Sequence, residues 1–302
     1  MALLPPNPEV LNSVSLIHDQ TPKDNNAVNN ALEAMKSGTA NYAALLIQKL
    51  SIRPQQKMDD SIMEVADTLG EPFAESKETG THNPIQEITP DDRVADLQTS
   101  SSSTTPLRLH TENLGTENIP DWVLIACAQN LEKAPTLIVN PVETVRVMGA
   151  IGLTRQLQLL REPAFGVQEP TAFALATGRD EGERKLLKDN IPIISGLNQS
   201  VGEQEGAPVV EVDFEAMTTD SYEHKNALAV FEVLAQKMAH KVVTRQGDLL
   251  VIRNTAQNRA TNDGIIYASA LHGRDRFVPM ADSQRKRKLK RVFVRGRESI
   301  RT

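Results

Sequence analysis

Apolar residues recur along this chain with two different spacings, which predict the helical and the extended segments. Positions three and four apart are apolar in segments typical of helices: 1–72, 143–160 and 224–240. Short, nearly continuous apolar runs are typical of strands and occur within five segments: 107–141, 209–213, 248–252, 264–271 and 289–294. Residues 74–106 are polar instead, and they predict a long loop that could close over a site as a lid.

The order of these elements predicts a mixed α+β fold. Strands come before and after a helical middle, an order that favours a jelly-roll core with an inserted segment. We therefore expect one domain over residues 1–302, with a helical N-terminal part at 1–72, a jelly-roll core formed by 107–141 and 208–295, and an insertion at 143–206. Such a core can bring together residues that lie far apart in the chain.

Composition and charge narrow the classes of protein. The formal net charge of −6 argues against a general affinity for nucleic acid or anionic membranes, and aromatic residues at 4% are too few for a base-stacking platform. Cys127 is the only cysteine and lies in an apolar run, so we expect a buried, unreactive thiol in a reducing compartment. The N-terminus lacks the features of a signal peptide, and no window reaches the length of a membrane span. These features favour a cytoplasmic protein with neither nucleic acid nor membrane as its partner.

His110 and Glu112 are the strongest candidates for chemistry. They lie two apart in a predicted strand, so their side chains point to the same face. Two imidazoles and one carboxylate can hold one divalent metal and leave positions open, as in Fe(II) centres that bind a cosubstrate and dioxygen. The third ligand must come from elsewhere, and His272 is the best candidate. Because a lone His-x-Glu pair arises often by chance, the pair alone does not establish a metal site.

Longer motifs surround both histidines. They read Leu-Arg-Leu-His-Thr-Glu-Asn from 107, Pro-Asp-Trp-Val-Leu from 120, Gly-Asp-Leu-Leu-Val-Ile from 247, His-Gly-Arg from 272, Phe-x-Pro from 277 and Arg-Lys-Leu-Lys-Arg-Val-Phe from 287. This set resembles the clavaminate synthase-like branch of the Fe(II)/2-oxoglutarate-dependent oxygenases, which includes hydroxylases of free arginine, asparagine and lysine. The resemblance is concentrated in residues 107–140 and 247–295.

The resemblance implies a double-stranded β-helix core in which His110, Glu112 and His272 bind Fe(II), with 2-oxoglutarate and O₂ as cosubstrates. It implies hydroxylation of an unactivated C–H bond of a small amino acid or derivative, with succinate and CO₂ as coproducts. A desaturase or cyclase of the same family, acting in a biosynthetic pathway, would use the same centre. A non-catalytic jelly-roll protein that binds a metal as a sensor is the alternative from another class.

A basic stretch near the C-terminus offers candidates for carboxylate recognition. Arg287, Leu289, Arg291 and Phe293 would share one face of a strand, and arginines among apolar residues suggest charges aimed into a site. A solvated basic edge is the plainer reading. The resemblance implies that Arg287 holds the far carboxylate of 2-oxoglutarate and Arg291 the carboxylate of the substrate. One extra residue after His272 leaves the two roles open to exchange.

Thr136 is a further candidate for the same 2-oxoglutarate carboxylate. The resemblance implies this role because a threonine commonly follows the Pro-Asp-Trp-Val strand in the family. Here Lys-Ala-Pro-Thr at 133–136 replaces the usual Gly-rich approach, and a structural strand threonine is the alternative.

Acidic residues suggest a site for a cation. If the strand at 209–213 continues, Asp213 and Glu215 share a face and could bind a guanidinium or ammonium group of the substrate. An exposed strand end is the alternative. By the same resemblance, Gln86 could contact an amino group. An apparent insertion at 257–269 next to the metal candidate, and Arg253-Asn254 in place of Asp-Asn, put the substrate in doubt more than the metal chemistry.

Overall fold

The computed structural model describes residues 14–17, 25–40, 42–49, 58–74, 83–176, 178–179, 181–195, 208–255 and 269–296. Its helices are α1 (Asn25–Ser37), α2 (Met58–Leu69), α3 (Pro141–Ala150), α4 (Thr154–Arg161), α5 (Thr171–Ala176) and α6 (Tyr222–Met238). Its strands are β1 (Val14–Ile17), β2 (Ala44–Ile47), β3 (Gly70–Phe73), β4 (Ile85–Ile88), β5 (Leu107–His110), β6 (Trp122–Gln129), β7 (Thr136–Val139), β8 (Phe165–Gln168), β9 (Leu186–Ile191), β10 (Ile194–Ser195), β11 (Val209–Val210), β12 (Met217–Thr218), β13 (His240–Val242), β14 (Leu249–Arg253), β15 (Leu271–Arg274) and β16 (Lys288–Gly296). None of the described helices is long and apolar enough to cross a membrane.

The larger sheet carries the arginine-bearing strand. Within the described residues its order is β1-β2-β14-β6-β16-β3, and β4 also pairs with β16. Only the β1–β2 pair is parallel among these described pairings. Strand β16 is long enough for β4 to pair with residues 289–292 and for β3 to pair with residues 293–296. The same edge of β16 therefore carries two short strands in succession.

The smaller sheet carries both histidines of the metal candidate. Its order is β13-β7-β15-β5, and its pairings are antiparallel. Strands from the middle of the chain form two further small sheets, β12-β8-β9 and β10-β11. The chain is thus a mixed α/β structure with antiparallel sheets, as the order of apolar patterns predicted.

Alternating residues of the sheets contribute to different apolar clusters. On the outer face of the larger sheet, Trp122 and Leu124 pack with α1 and α2. Between the sheets, Val123 and Ile125 of the same strand cluster with Ile138 of β7. Strand β6 is therefore buried on both faces, which explains its continuous apolar run. The outer face of the smaller sheet packs against the helices of the middle segment.

Most predicted strands are confirmed, but the N-terminal part is not wholly helical. The prediction for Ala44–Leu46 is wrong, because residues 44–47 form β2. All four β2 residues are buried, so both faces are apolar, and a short run of that kind cannot be assigned to helix or strand by periodicity. Strands β1 and β3 also lie within 1–72, and β4 lies within the segment 74–106 that was predicted as a loop.

The helix predicted over residues 143–160 is two helices. Gly152 has a φ of +82° between them, a conformation that glycine adopts at low cost. Its N–H donates to the Gly149 carbonyl at 3.1 Å, and the Leu153 N–H donates to the Met148 carbonyl at 2.9 Å. These two bonds end α3 and redirect the chain into α4.

Three other predictions differ or cannot be compared. The strand predicted at 209–213 ends at Val210. The segment 161–206, for which no helix or strand was predicted, contains β8, α5, β9 and β10. The insertion at 257–269 and the strand start at 264 lie, except for Ser269, outside the described residues.

Candidate metal centre

His110 and His272 meet across the smaller sheet. In the antiparallel register of β5 and β15 they lie directly opposite each other, and their ring centroids are 4.4 Å apart. Gly273 follows at a point where a Cβ atom would lie 2.7 Å from the Leu107 carbonyl oxygen. Glycine therefore allows the two strands to approach closely beside the histidines.

Glu112 completes the group just beyond the end of β5. Its Oε2 lies 3.1 Å from His272 Nε2 and 3.6 Å from His110 Nε2. One ligand atom from each of the three residues lies within 4.8 Å of the others. Among the described residues this is the one group of histidine, cysteine and acidic side chains arranged closely enough to hold a metal ion.

The surroundings fix the orientation of these groups. The Nδ1 of His110 is 2.8 Å from the Arg108 carbonyl, so Nδ1 donates a proton there and Nε2 faces Glu112. Asn254 accepts from the Glu112 N–H at 2.7 Å and donates to the carbonyls of Glu112 and Pro120. Asn254 thus anchors the segment between β5 and β6 to the end of β14, a role that the sequence motifs did not identify.

Arg253, which departs from the family pattern, contacts the outer face of the larger sheet and α1. Its guanidinium lies 4.5 Å from the ring centre of Trp122 and donates to the Met35 carbonyl. It packs α1 against the sheet.

The pKa values show strong coupling within the buried group. Burial by itself would lower the pKa of His110, but hydrogen bonding and attraction to Glu112 raise it to about 9. Burial would raise the pKa of Glu112, but Arg291 and the two histidines hold it well below its usual value. Burial and the charge of His110 lower the pKa of His272 to about 4. The group therefore keeps an ionised carboxylate and one neutral imidazole, and a divalent cation would replace the proton on His110.

A pocket between the sheets lies on one side of this group. Thr136 and Arg287 both line it, together with His272, and all three are buried. Thr136 lies opposite Arg274 in the register of β7 and β15. Arg274 also lines the pocket, and the sequence reasoning missed it. The alternation of a strand could have found it, because Arg274 is two residues beyond His272.

An open cleft of about 890 Å³ lies on the other side. Asp213, Glu215, Arg291 and Arg108 line it, as do residues 98–100 of the segment predicted to be a lid. The cleft and the pocket meet at Glu112 and Arg291, which line both.

Arg291 connects three parts of the site. Its Nη1 donates to Glu112 Oε1 at 3.1 Å, and its Nε donates to Gln86 Oε1 at 3.1 Å. Gln86 lies opposite Arg291 in the register of β4 and β16. Gln86 lines a smaller neighbouring cavity with Arg291, rather than the cleft itself.

Asp213 and Glu215 both line the cleft, but they do so from a turn and not from a continuous strand. Residues 214–216 form a turn, so the expectation that strand alternation puts Asp213 and Glu215 on one face is wrong. Asp213 Oδ1 accepts the N–H groups of Glu215 and Ala216, a local bond that favours this turn.

Glu215 is already paired within the protein. It lies 3.1 Å from Arg184 Nη1 and accepts a hydrogen bond from Thr171 Oγ1 at 2.7 Å. Asp213 and Glu215 thus line the same cleft, but the charge of Glu215 is balanced by Arg184.

Known proteins resemble this chain in sequence and in fold. No family model matches the chain. A curated relative, the L-lysine 3-hydroxylase of Catenulispora acidiphila, is 27% identical over 225 residues, which are 72% of this chain and 57% of the relative. The chain thus spans little more than half the length of that relative.

Solved structures share the fold. Asparagine oxygenase, in complex with Fe(II), 2S,3S-3-hydroxyasparagine and succinate, matches 89% of this chain and 79% of its own at 20% identity and a TM-score of 0.67. The non-heme iron oxygenase OrfP, in complex with Fe and alpha-ketoglutaric acid, matches 89% of this chain and 80% of its own at 20% identity and a TM-score of 0.64. The comparisons confirm the resemblance to clavaminate synthase-like amino-acid hydroxylases.

Proposed function

We propose that this chain is an Fe(II)/2-oxoglutarate-dependent oxygenase that hydroxylates an unactivated C–H bond of a small amino acid or derivative. The observation that carries the proposal is the convergence of His110, Glu112 and His272 within 4.8 Å, between a buried arginine-lined pocket and an open cleft. This arrangement offers one metal three ligands, with separate spaces for a cosubstrate and a substrate.

The proposal includes a double-stranded β-helix, or jelly-roll, core within a single oxygenase domain. Two antiparallel sheets share one apolar cluster, and the metal candidate lies at the edge of that cluster. The helices that follow β7 pack on the outer face of the smaller sheet, as an insertion at 143–206 would. The likeness to asparagine oxygenase and OrfP also supports this reading.

The three ligand residues fit iron by their donor set. Two imidazole nitrogens and one carboxylate oxygen leave positions open in an Fe(II) centre. When bound, iron together with 2-oxoglutarate and O₂ supplies the oxidising chemistry, with succinate and CO₂ as coproducts. The protein holds His110 by the Arg108 carbonyl, and it holds the second oxygen of Glu112 by Arg291. These contacts keep the donors aimed at one point.

Arg287 and Thr136 are proposed to hold the far carboxylate of 2-oxoglutarate. Both side chains are buried in the pocket beside His272, so a carboxylate there would be screened from water. An arginine and a hydroxyl can together donate several hydrogen bonds to one carboxylate. Burial of the cosubstrate also limits the access of water to the centre.

Arg291, Gln86 and Asp213 are proposed to orient the substrate. Arg291 lies at the junction of cleft and pocket, where a substrate carboxylate would meet its guanidinium, and Gln86 is bonded to that guanidinium. Asp213 lies across the cleft and suits a distal amino or amide group. Glu215 adds to the polar wall with its charge balanced by Arg184. Fixing both ends of the substrate selects one C–H bond.

The test is turnover with a panel of amino acids. Full-length protein with Fe(II), ascorbate and 2-oxoglutarate should form succinate, and mass spectrometry should find a gain of one oxygen in one amino acid of the panel. L-Lysine, L-asparagine and L-arginine come first, since the relative and asparagine oxygenase act on the first two and the resemblance includes arginine hydroxylases. A loss of two hydrogens would redirect the proposal to desaturation or ring formation. An absence of succinate under all conditions would contradict the proposal.

A further inference from the structure

Two arginines bring their guanidinium groups into the pocket beside His272. Arg274 lies two residues beyond His272 on β15, and Arg287 immediately precedes β16 of the facing sheet. Their side chains line one cavity, and the residues are only 3% and 4% exposed. Two positive charges are therefore buried in one small space.

Neither charge has an acidic partner at hydrogen-bond distance among the described residues. The guanidinium of Arg287 makes no hydrogen bond there, and its buried Nε lacks a partner. Arg274 donates to neutral oxygens only: Nη1 to the Asp275 carbonyl, and Nη2 to Ser102 Oγ at 2.7 Å and to the Thr105 carbonyl at 3.3 Å. Its buried Nε lacks a partner too.

Both guanidinium groups lie against one aromatic ring. The Cζ of Arg274 is 5.0 Å from the centre of the Phe277 ring, and that of Arg287 is 5.8 Å from it. The ring offers some attraction to cations, but it cannot replace a carboxylate. Two buried guanidinium groups with no acidic partner at hydrogen-bond distance carry an electrostatic cost that an anion would relieve.

We propose that Arg274 is a second carboxylate-binding residue, which holds the far carboxylate of the cosubstrate together with Arg287. The inference rests on the proposed function for the identity of the ligand. Thr136 lies opposite Arg274 in the sheet register, so a hydroxyl and two guanidinium groups line the same pocket. Because these donors need no metal, the pocket binds 2-oxoglutarate and succinate in the absence of iron.

The competing role for Arg274 is structural. Through Ser102 and Thr105 it supports the segment whose residues 98–100 line the cleft. Ser102→Ala removes one of these bonds and leaves both guanidinium groups in place. It is therefore the matched control for Arg274→Gln, and Arg274→Lys keeps the charge while losing the planar fork.

The experiment is titration calorimetry of the full-length, metal-free protein in EDTA with 2-oxoglutarate and with succinate. Unmodified protein should bind both. Arg274→Gln should weaken binding at least about tenfold, Arg274→Lys should weaken it less, and Ser102→Ala should stay within about twofold. In turnover with iron, Arg274→Gln should raise the KM for 2-oxoglutarate by a similar factor and change kcat much less.

Three results would overturn the inference: no metal-free binding by the unmodified protein, unchanged affinity in Arg274→Gln, or equal weakening in Ser102→Ala and Arg274→Gln. If Arg274→Gln does not fold, a lack of weakening in the folded Arg274→Lys variant counts in the same way. Metal-free binding without any turnover would refute the proposed function alone. Turnover by the unmodified protein with unchanged affinity in Arg274→Gln would refute this inference alone.

Discussion

The pocket and the cleft meet at the metal candidate, but their charges are balanced in opposite ways. In the pocket, Arg274 and Arg287 are buried with no acidic partner at hydrogen-bond distance among the described residues. In the cleft, Glu215 is paired with Arg184, and Arg108 is paired with Glu232. A pocket with excess positive charge favours an anionic ligand. In the cleft, where most charges are paired, the choice of substrate depends on the few charged groups that are not.

This difference fits two ligands of different character. A cosubstrate common to many oxygenases can be recognised by fixed, buried charges. A substrate that differs between relatives needs a site in which single substitutions change the preference. We propose Asp213 and Arg291 for most of that selection, because Arg291 lies beside the centre and Asp213 is the acidic residue of the cleft without an arginine bonded to it among the described contacts.

The largest expected effect comes from removing a metal ligand, because the pocket and the cleft both depend on the centre at which they meet. His110→Ala, Glu112→Ala and His272→Ala should each lower the affinity for Mn(II), used as a stable probe for Fe(II), by more than about a hundredfold and abolish turnover. Calorimetry and succinate formation measure the two effects, and circular dichroism checks the fold. His240→Ala is the matched histidine control, since His240 lies on β13, two strands from β15, and does not belong to the three-ligand group. Full 2-oxoglutarate turnover in His272→Ala would remove that residue from the centre.

The next largest effect tests the pocket. Arg287→Ala should raise the KM for 2-oxoglutarate strongly and leave Mn(II) affinity nearly unchanged, because loss of a buried charge-assisted pair costs on the order of 2–5 kcal/mol. The exposed Arg285 offers a control of equal charge in Arg285→Ala. If Arg291→Ala raises that KM and Arg287→Ala does not, the roles of the two arginines must be exchanged.

The sequence could predict the parts of the site that follow from strand alternation. Two-residue spacing gave the shared face of His110 and Glu112, and that of Arg287 and Arg291, without any knowledge of tertiary contacts. It could not give Asn254, because its bonds to Glu112 join positions 142 apart, and an asparagine has no periodic signature. It also failed at Glu215, where a side chain at Asp213 caps its own turn and ends the strand. Long-range pairing, as between Arg184 and Glu215, leaves no local pattern to read.

A smaller effect separates the two acids of the cleft. Asp213→Asn should raise the KM of a cationic or amide-bearing substrate by about tenfold, or about 1.4 kcal/mol, and leave uncoupled 2-oxoglutarate decay unchanged. Glu215→Gln should instead lower the melting temperature, because it leaves the partly buried Arg184 without its acidic partner, and should change the KM less. Substrate-dependent succinate formation and thermal unfolding distinguish the two. If neither variant alters the KM, the acids do not select the substrate and the segment 257–269 becomes the next candidate.

The smallest expected effect comes from Arg108, whose positive charge lies in the lining of the cleft. Arg108 lines the cleft with Asp213, and two of its guanidinium nitrogens contact Glu232 on α6. Burial opposes the charge of Arg108, but Glu232, and to a smaller extent Asp213, raise the pKa of Arg108 above its usual value. Arg108→Gln removes a positive charge that competes with the substrate for Asp213. Because the Arg108 side chain is 36% exposed, solvent screens the interaction, and the gain for a cationic substrate should be no more than about fivefold in KM. A neutral amide substrate, measured beside it, should change less, and the gain should shrink in high salt. An equal gain for both substrates, or one insensitive to salt, would mean that Arg108 acts through the shape of the cleft and not through its charge.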